Sequence, residues 1–212
     1  FWIVAALALL GLAILYRRKF YDEWMFFRSQ PKAWLRKMWK EWGEPFVIAA
    51  VIAFGIRTFV LGPYKIPSGS MIPTLLQGDR IFVDKLSYRF RAPKRGEVIV
   101  FKYPLDTKKD FVKRLIAFGG AEVEIRDVIV YINGKALDRL VNVPNRYYYN
   151  RNDWEYGKER EKIQVPENAF FVLGDNSAQS SDSRNWGFVP KEDLVGRAFL
   201  IFWPFNRFGY ID

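Results

Sequence analysis

The sequence contains no cysteine and no histidine. Without a thiol there is no cysteine nucleophile and no disulfide. Without an imidazole there is no Ser-His-Asp triad, and zinc sites built on His or Cys are excluded as well. Hydrolytic chemistry in this chain must use a Ser or Thr nucleophile, or carboxylates. Its base must be a lysine, a carboxylate or a terminal amine. The absence of disulfides suits either side of a membrane and leaves the compartment open.

What is present is charge and apolar surface. The 212 residues suffice for one sizeable domain or two small ones, and the net charge is +10. A basic balance points to nucleic acid or to an anionic membrane surface. Its distribution favours the membrane. Residues 17–44 carry eight Lys/Arg against four Asp/Glu, Arg57 and Lys65 add two, and the last 147 residues carry only +4.

Two apolar runs flank that basic stretch. Residues 1–16 (FWIVAALALLGLAILY) are uncharged and as a helix span about 24 Å, a little short of a bilayer core. The chain does not open on Met, so a trimmed N-terminus is expected. A signal peptide is the competing reading, but the run ends in Arg17-Arg18-Lys19 rather than in small residues. Residues 45–61 (PFVIAAVIAFGIRTFVL) form the second run, with Arg57 near one end, able to snorkel. Between the runs, Leu35, Met38, Trp39 and Trp42 share one helical face, which suggests an amphipathic helix at the headgroups, against a plain solvated loop. The positive-inside rule puts 17–44 in the cytoplasm and the long C-terminal part on the outer face.

From residue 76 onward, short runs rich in Val, Ile, Phe and Tyr alternate with turn residues. Strands are expected at 80–86, 97–103, 111–118, 121–125, 127–132, 162–165, 169–173 and 195–203, with a hairpin at Asn133-Gly134. Residues 141–160 read as a polar, tyrosine-rich excursion. No repeat and no low-complexity tract is visible.

Three stretches can carry chemistry. In Pro67-Ser68-Gly69-Ser70-Met71-Ile72-Pro73, prolines stiffen the backbone and Gly69 permits close approach of a ligand. The segment is either a linking turn or a mount for a nucleophilic serine. A lysine base must be buried to lose its proton, because an amine in water holds it up to a pKa near 10.4. Lys113 lies in the apolar strand Phe111-Val112-Lys113-Arg114-Leu115-Ile116 and fits that need. The plainer alternative is a strand lysine with its head in water. The third stretch, Gly174–Gly187, is dense in hydrogen-bonding side chains. In it Asp175 and Asp182 can pair Arg114 and Arg184, and Ser180 can orient the lysine head. The carboxylates should engage the arginines, since a carboxylate beside Lys113 would raise its pKa.

Taken together, PSGSMIPTL, GDRIFVDKL at 78–86, Lys113-Arg114 and the GDN…SxDSRxWG stretch at 174–187, in that order after two apolar runs, resemble type I signal (leader) peptidase. The resemblance covers nearly the whole chain. It implies a mainly β catalytic domain of antiparallel sheets preceded by two transmembrane α-helices. The spans would be 1–16 and 45–62, with a basic cytoplasmic loop at 17–44 and an extracytoplasmic domain at 63–212. It implies a serine endopeptidase with Ser70 as nucleophile, Lys113 as general base, and Ser68 with the Ser70 N–H as oxyanion donors. Ser180 would orient the lysine, and Arg114, Asp175, Asp182 and Arg184 would be structural polar support. Ile66 and Val112 would line pockets selecting Ala-x-Ala before the cut. The substrates would be signal peptides of secretory preproteins, met at the inner (cytoplasmic) membrane with the active site on the outer face. Association with the export translocase is also implied, and no cofactor, metal or nucleic acid. Where the family has GDNRDNS this chain has GDNSAQS, so Ser177, Ala178 and Gln179 depart from it. The rival readings are a membrane-anchored β-domain adaptor or assembly factor and a nucleic-acid-binding protein.

Overall fold

The structure, a computed structural model, describes residue 17, residues 19–139, residue 141 and residues 147–211. The apolar run at 1–16 lies outside the described residues. The chain divides at Gly55–Ile56 into two units.

The first unit is helical. Helix α1 (residues 19–29) is followed by α2 (Pro31–Met38), a π-helical turn (Trp39–Gly43) and α3 (Glu44–Phe59). Pro31 sits at the start of α2, where its missing N–H costs nothing. Phe27 meets Trp34 edge-on at 4.9 Å, and Trp34 Nε1 donates to Glu23 Oε2 at 3.1 Å. The segment 31–42 is therefore a helix, not a solvated loop, and it runs straight into the second apolar run. From Pro31 to Phe59 the backbone is one helix of 29 residues. Among the described residues it is the one helix long and apolar enough to cross a membrane, and none of its side chains is buried. The sequence reading began the span at Pro45. The helix passes this proline because the turn before it widens: Glu44 N–H donates to Trp39 O, five residues back. Such a bulge absorbs the missing proline donor without a break.

The second unit is β. In chain order its strands are β1 (Leu61–Lys65), β2 (Arg80–Asp84), β3 (Val98–Tyr103), β4 (Asp106–Phe118), β5 (Glu122–Arg126), β6 (Ile129–Ile132), β7 (Lys135–Ala136), β8 (Lys162–Gln164), β9 (Ala169–Leu173), β10 (Val189–Pro190), β11 (Leu194–Trp203) and β12 (Gly209–Tyr210). One sheet has the order β1-β2-β11-β3-β4-β9-β10, with β12 on β11; the other is β7-β6-β5-β8. Every pairing is antiparallel. All eight expected strands are present. Four are additional. β1 contains Pro63, which an edge strand tolerates, and the others have two residues each. Asn133-Gly134 turns β6 into β7 with φ of 49° and 76°. The turn from β5 to β6 takes residues 127 and 128, which were expected in the second strand: Asp127 and Val128 adopt φ of 51° and 58° there. A β-branched residue rarely takes that conformation. One 4-residue helix, α4 (Ser183–Trp186), follows β9.

Alternation places the core. Ile81 and Val83 of β2, Val98 and Val100 of β3, and Ala198 and Ile201 of β11 pack with Ile66, Met71 and Leu75. The segment carrying the two serines is thus anchored on both sides by buried residues. A second core lies around Ile116, Val123, Ile125, Val130, Ile132, Phe171 and Leu173, drawn from both sheets. Lys85 Nζ reaches Arg57 O at 3.5 Å and Thr58 O at 3.3 Å, a cation on the carbonyl end of α3.

The joint between the sheets is Gly119-Gly120. A Cβ on Gly119 would stand 2.1 Å from the backbone oxygen of Glu167. Backbone cannot step aside as a side-chain tip can. Gly119→Ala is expected to destabilise the domain by about 2–3 kcal/mol, read as a lower urea midpoint with an unchanged slope. A change under about 0.5 kcal/mol would show that this joint is not tightly packed.

Candidate active site

Ser70 sits in a run of turns between β1 and β2. Ile66 N–H donates to Asp79 O and Gly78 N–H to Ile66 O, both at 2.9 Å, closing the base of the excursion. Met71, 1% exposed, and Leu75, fully buried, pin its far side. Lys113 projects from β4, paired with Ile99 of β3 in the sheet. It is 4% exposed, and its Nζ lies 2.7 Å from Ser70 Oγ. The ring of Phe111 is 5.7 Å from the amine.

This environment changes the amine. Burial is the largest influence and pushes the Lys113 pKa down to about 8. Asp182 and Asp175 pull it up, and Arg184 pushes it down. Burial wins because both carboxylates are already held. Arg114 Nε and Nη2 each donate to Asp175 at 2.7 Å, and Arg114 and Asp175 side chains are fully buried. Arg184 Nε and Nη2 each donate to Asp182 at 2.8 Å, again fully buried. Two charge-assisted forks therefore neutralise the acids before they reach the lysine.

The same pairs tie distant segments together. Thr74, four residues after Ser70, donates to Asp175 Oδ2 at 2.5 Å and accepts from Arg114 Nη2 at 3.2 Å. Asp182 caps α4 and accepts from Gly174 N–H at 3.0 Å. Arg184 also donates to Ser177 Oγ and to Tyr149 O, both at 2.7 Å. Ser177, one of the departures from the GDNRDNS pattern, is buried and takes Tyr149 N–H at 2.9 Å. A larger residue there would meet this network.

Ser68 Oγ stands 3.5 Å from Ser70 Oγ, at the outer limit of a hydrogen bond. Ser180 is 7% exposed, and its buried Oγ takes no hydrogen-bond partner among the described residues. It converges on the Ser70 segment all the same: a Cβ on Gly174 would stand 2.1 Å from Ser180 Oγ and 2.5 Å from Ser70 O. Ile66 and Val112 line a cleft of about 170 Å³ with Tyr64, Met71 and Phe111, and Ser70 and Lys113 open into it. Tyr64 is raised to about 12 by burial and then by Asp110 across the cleft. No His/Cys/Asp/Glu cluster able to hold a metal occurs among the described residues. Sequence reasoning assigned no part to Thr74, Gly174, Asn176 or Tyr149. Their contacts join residues dozens of positions apart, and only the polar density of 174–187 hinted at them.

A family model described as signal peptidase, peptidase S26, matches residues 39–203. The chain belongs to that family. Curated signal peptidases align along most of their length. A probable signal peptidase I-2 of Synechocystis sp. is 45% identical over 180 residues, covering 82% of this chain and 77% of the relative. A signal peptidase I of Leptolyngbya laminosa is 41% identical over 189 residues, covering 85% and 87%. That of Aquifex aeolicus is 36% identical, covering 78% and 84%. The family match contains Ser70, Lys113 and the whole 174–187 stretch.

Arg114→Met leaves Asp175 charged and buried without its fork. The expected loss is about 3–5 kcal/mol by chemical unfolding, and the double variant Arg114→Met/Asp175→Leu should recover much of it. If the double variant is as unstable as the single one, the cost lies in packing rather than in the stranded charge.

Proposed function

We propose that this signal peptidase cleaves signal peptides with Ser70 as nucleophile and neutral Lys113 as general base. The observation that carries the reading is the buried Lys113 amine, 2.7 Å from Ser70 Oγ, with its pKa lowered to about 8. In the chemical steps, Lys113 Nζ takes the Ser70 hydroxyl proton as Oγ attacks the scissile carbonyl. The Ser70 N–H and the Ser68 hydroxyl stabilise the oxyanion. The resulting ammonium then protonates the leaving amine, which is the new N-terminus of the mature protein. The signal peptide stays as an ester on Ser70 until water, deprotonated by Lys113, releases it.

The surroundings support the remaining roles. The narrow cleft lined by Ile66 and Val112 suits small side chains, in keeping with Ala-x-Ala before the cut. Ser180, packed with Ser70 O around Gly174, is suited to orient the lysine. Arg114, Asp175, Asp182 and Arg184 hold the frame. In the membrane, 1–16 and the helix that ends at Phe59 are two spans, 17–44 lies on the cytoplasmic side, and the β-domain from Leu61 onward, two residues earlier than the expected bound of 63, works on the outer face of the inner membrane. The exposed apolar surface of α3 and the basic residues before it favour this arrangement. A substrate threaded through the same bilayer reaches Ser70 at raised effective concentration, and association with the export translocase would raise it further.

Ser70→Ala and Lys113→Ala are each expected to abolish preprotein cleavage while the protein stays folded; full activity in either rejects the assignment. The base works unprotonated, so kcat/KM should fall as pH drops through about 8 and level off above it. A flat profile between pH 6 and 9 contradicts a lysine base.

Stability should move in the same direction, over a higher pH window. The folded pKa of Lys113 lies below its unfolded value of 10.5. Burial of the charge is therefore costly below about pH 8, and the cost fades as pH rises towards 10.5. Lys113→Met is expected to be inactive yet more stable at pH 7 by roughly 1–3 kcal/mol. A less stable Lys113→Met would mean that the amine is not held against its charge.

A further inference from the structure

We infer that Asn176 is a positioning residue that aims the Ser70 backbone N–H into the oxyanion site. The inference rests on Ser70 being the nucleophile, and it concerns a residue so far given no part in the reaction. Asn176 grips two consecutive carbonyls of the nucleophile segment. Its side-chain Nδ2 donates to Gly69 O at 3.0 Å, and its backbone N–H donates to Ser70 O at 3.0 Å. A carbonyl can only accept, so the amide must turn its nitrogen, not its oxygen, towards Gly69. The other Nδ2 hydrogen is directed to Gln179 Oε1 at 3.2 Å, which fixes the amide in that orientation.

The consequence follows from peptide geometry. Gly69 C=O and Ser70 N–H belong to one planar unit, and in a trans peptide they point in opposite directions. Among the described residues the cis bonds lie elsewhere, at Ile72-Pro73 and Trp203-Pro204. Holding Gly69 O on one side therefore sets the direction of Ser70 N–H on the other. An external clamp is needed because Gly69 has no Cβ to restrict rotation of that plane. Ile72 N–H also reaches Gly69 O, but at 3.2 Å. The Ser70 N–H takes no acceptor among the described residues and is free for an oxyanion. Gln179, where the family pattern has Asn, supports the reaction through Asn176.

The test compares Asn176→Leu, close in size but without a donor, with the unaltered full chain on a signal-peptide substrate. The expected result is a fall in kcat of roughly 10–100-fold, less than the loss of a whole oxyanion donor, with KM within about twofold. The acid limb of the pH profile should stay near 8, because Lys113 is untouched. A peptide boronate, whose adduct places an oxygen in the oxyanion site, should weaken in proportion to kcat. An uncleavable peptide spanning the cleft should bind as before. Unchanged kcat, a loss confined to KM, or a displaced acid limb each overturn the inference. If Asn176→Leu does not fold, Gln179→Ala decides: it alters an exposed residue and frees the amide, and a kcat equal to wild type rejects the clamp. Ser70→Ala run in parallel separates the two claims. Residual cleavage there would remove the nucleophile itself, whereas an inactive Ser70→Ala beside a fully active Asn176→Leu removes only the clamp.

Discussion

An amine in water near neutral pH is protonated and cannot accept a proton from serine. The rest of this domain depends on one lysine being taken out of water beside one hydroxyl. Lys113 is 4% exposed and 2.7 Å from Ser70 Oγ, and burial lowers its pKa to about 8. With no histidine anywhere in the chain, the fold must supply by desolvation what an imidazole has by nature.

Burying an amine next to two buried carboxylates would ordinarily fail, because the acids would draw the proton back. The two arginine forks resolve this conflict. Arg114 holds Asp175 and Arg184 holds Asp182, each pair fully buried. The pairs then serve a second purpose. Through Thr74, Gly174, Ser177 and Tyr149 they tie the serine segment, the stretch after β9 and the segment around 147–149 into one frame. The position of Ser70 against Lys113, 43 residues away in sequence, is thus set by polar contacts on one side and by Met71 and Leu75 in the apolar core on the other.

Much of this was legible in the chain, for reasons that can be named. Alternation in Arg80–Asp84 and the apolar runs of β3, β4 and β9 announce strands, since period-two burial is local. Asn133-Gly134 announces its turn because both residues accept positive φ. Missing thiol and imidazole side chains direct attention to a lysine inside an apolar strand. What escaped the sequence depends on distance or on exceptions. Pro63 disguised β1, Asp127-Val128 turns where a β-branched residue rarely does, and the π turn before Pro45 hid a continuous helix of 29 residues. Nothing local beyond the polar density of 174–187 marks Asn176; its partner Gly69 lies 107 residues away.

The central claim is that Lys113 is neutral at working pH because it is buried. The most direct measurement is an NMR titration of the Lys113 ε-position in the folded full chain labelled with ¹³C-lysine, its signal assigned by its loss in Lys113→Arg. The account predicts a midpoint near 8, well apart from the exposed lysines. A midpoint at the ordinary value near 10.5 would contradict it, since an amine charged throughout the neutral range cannot be the base.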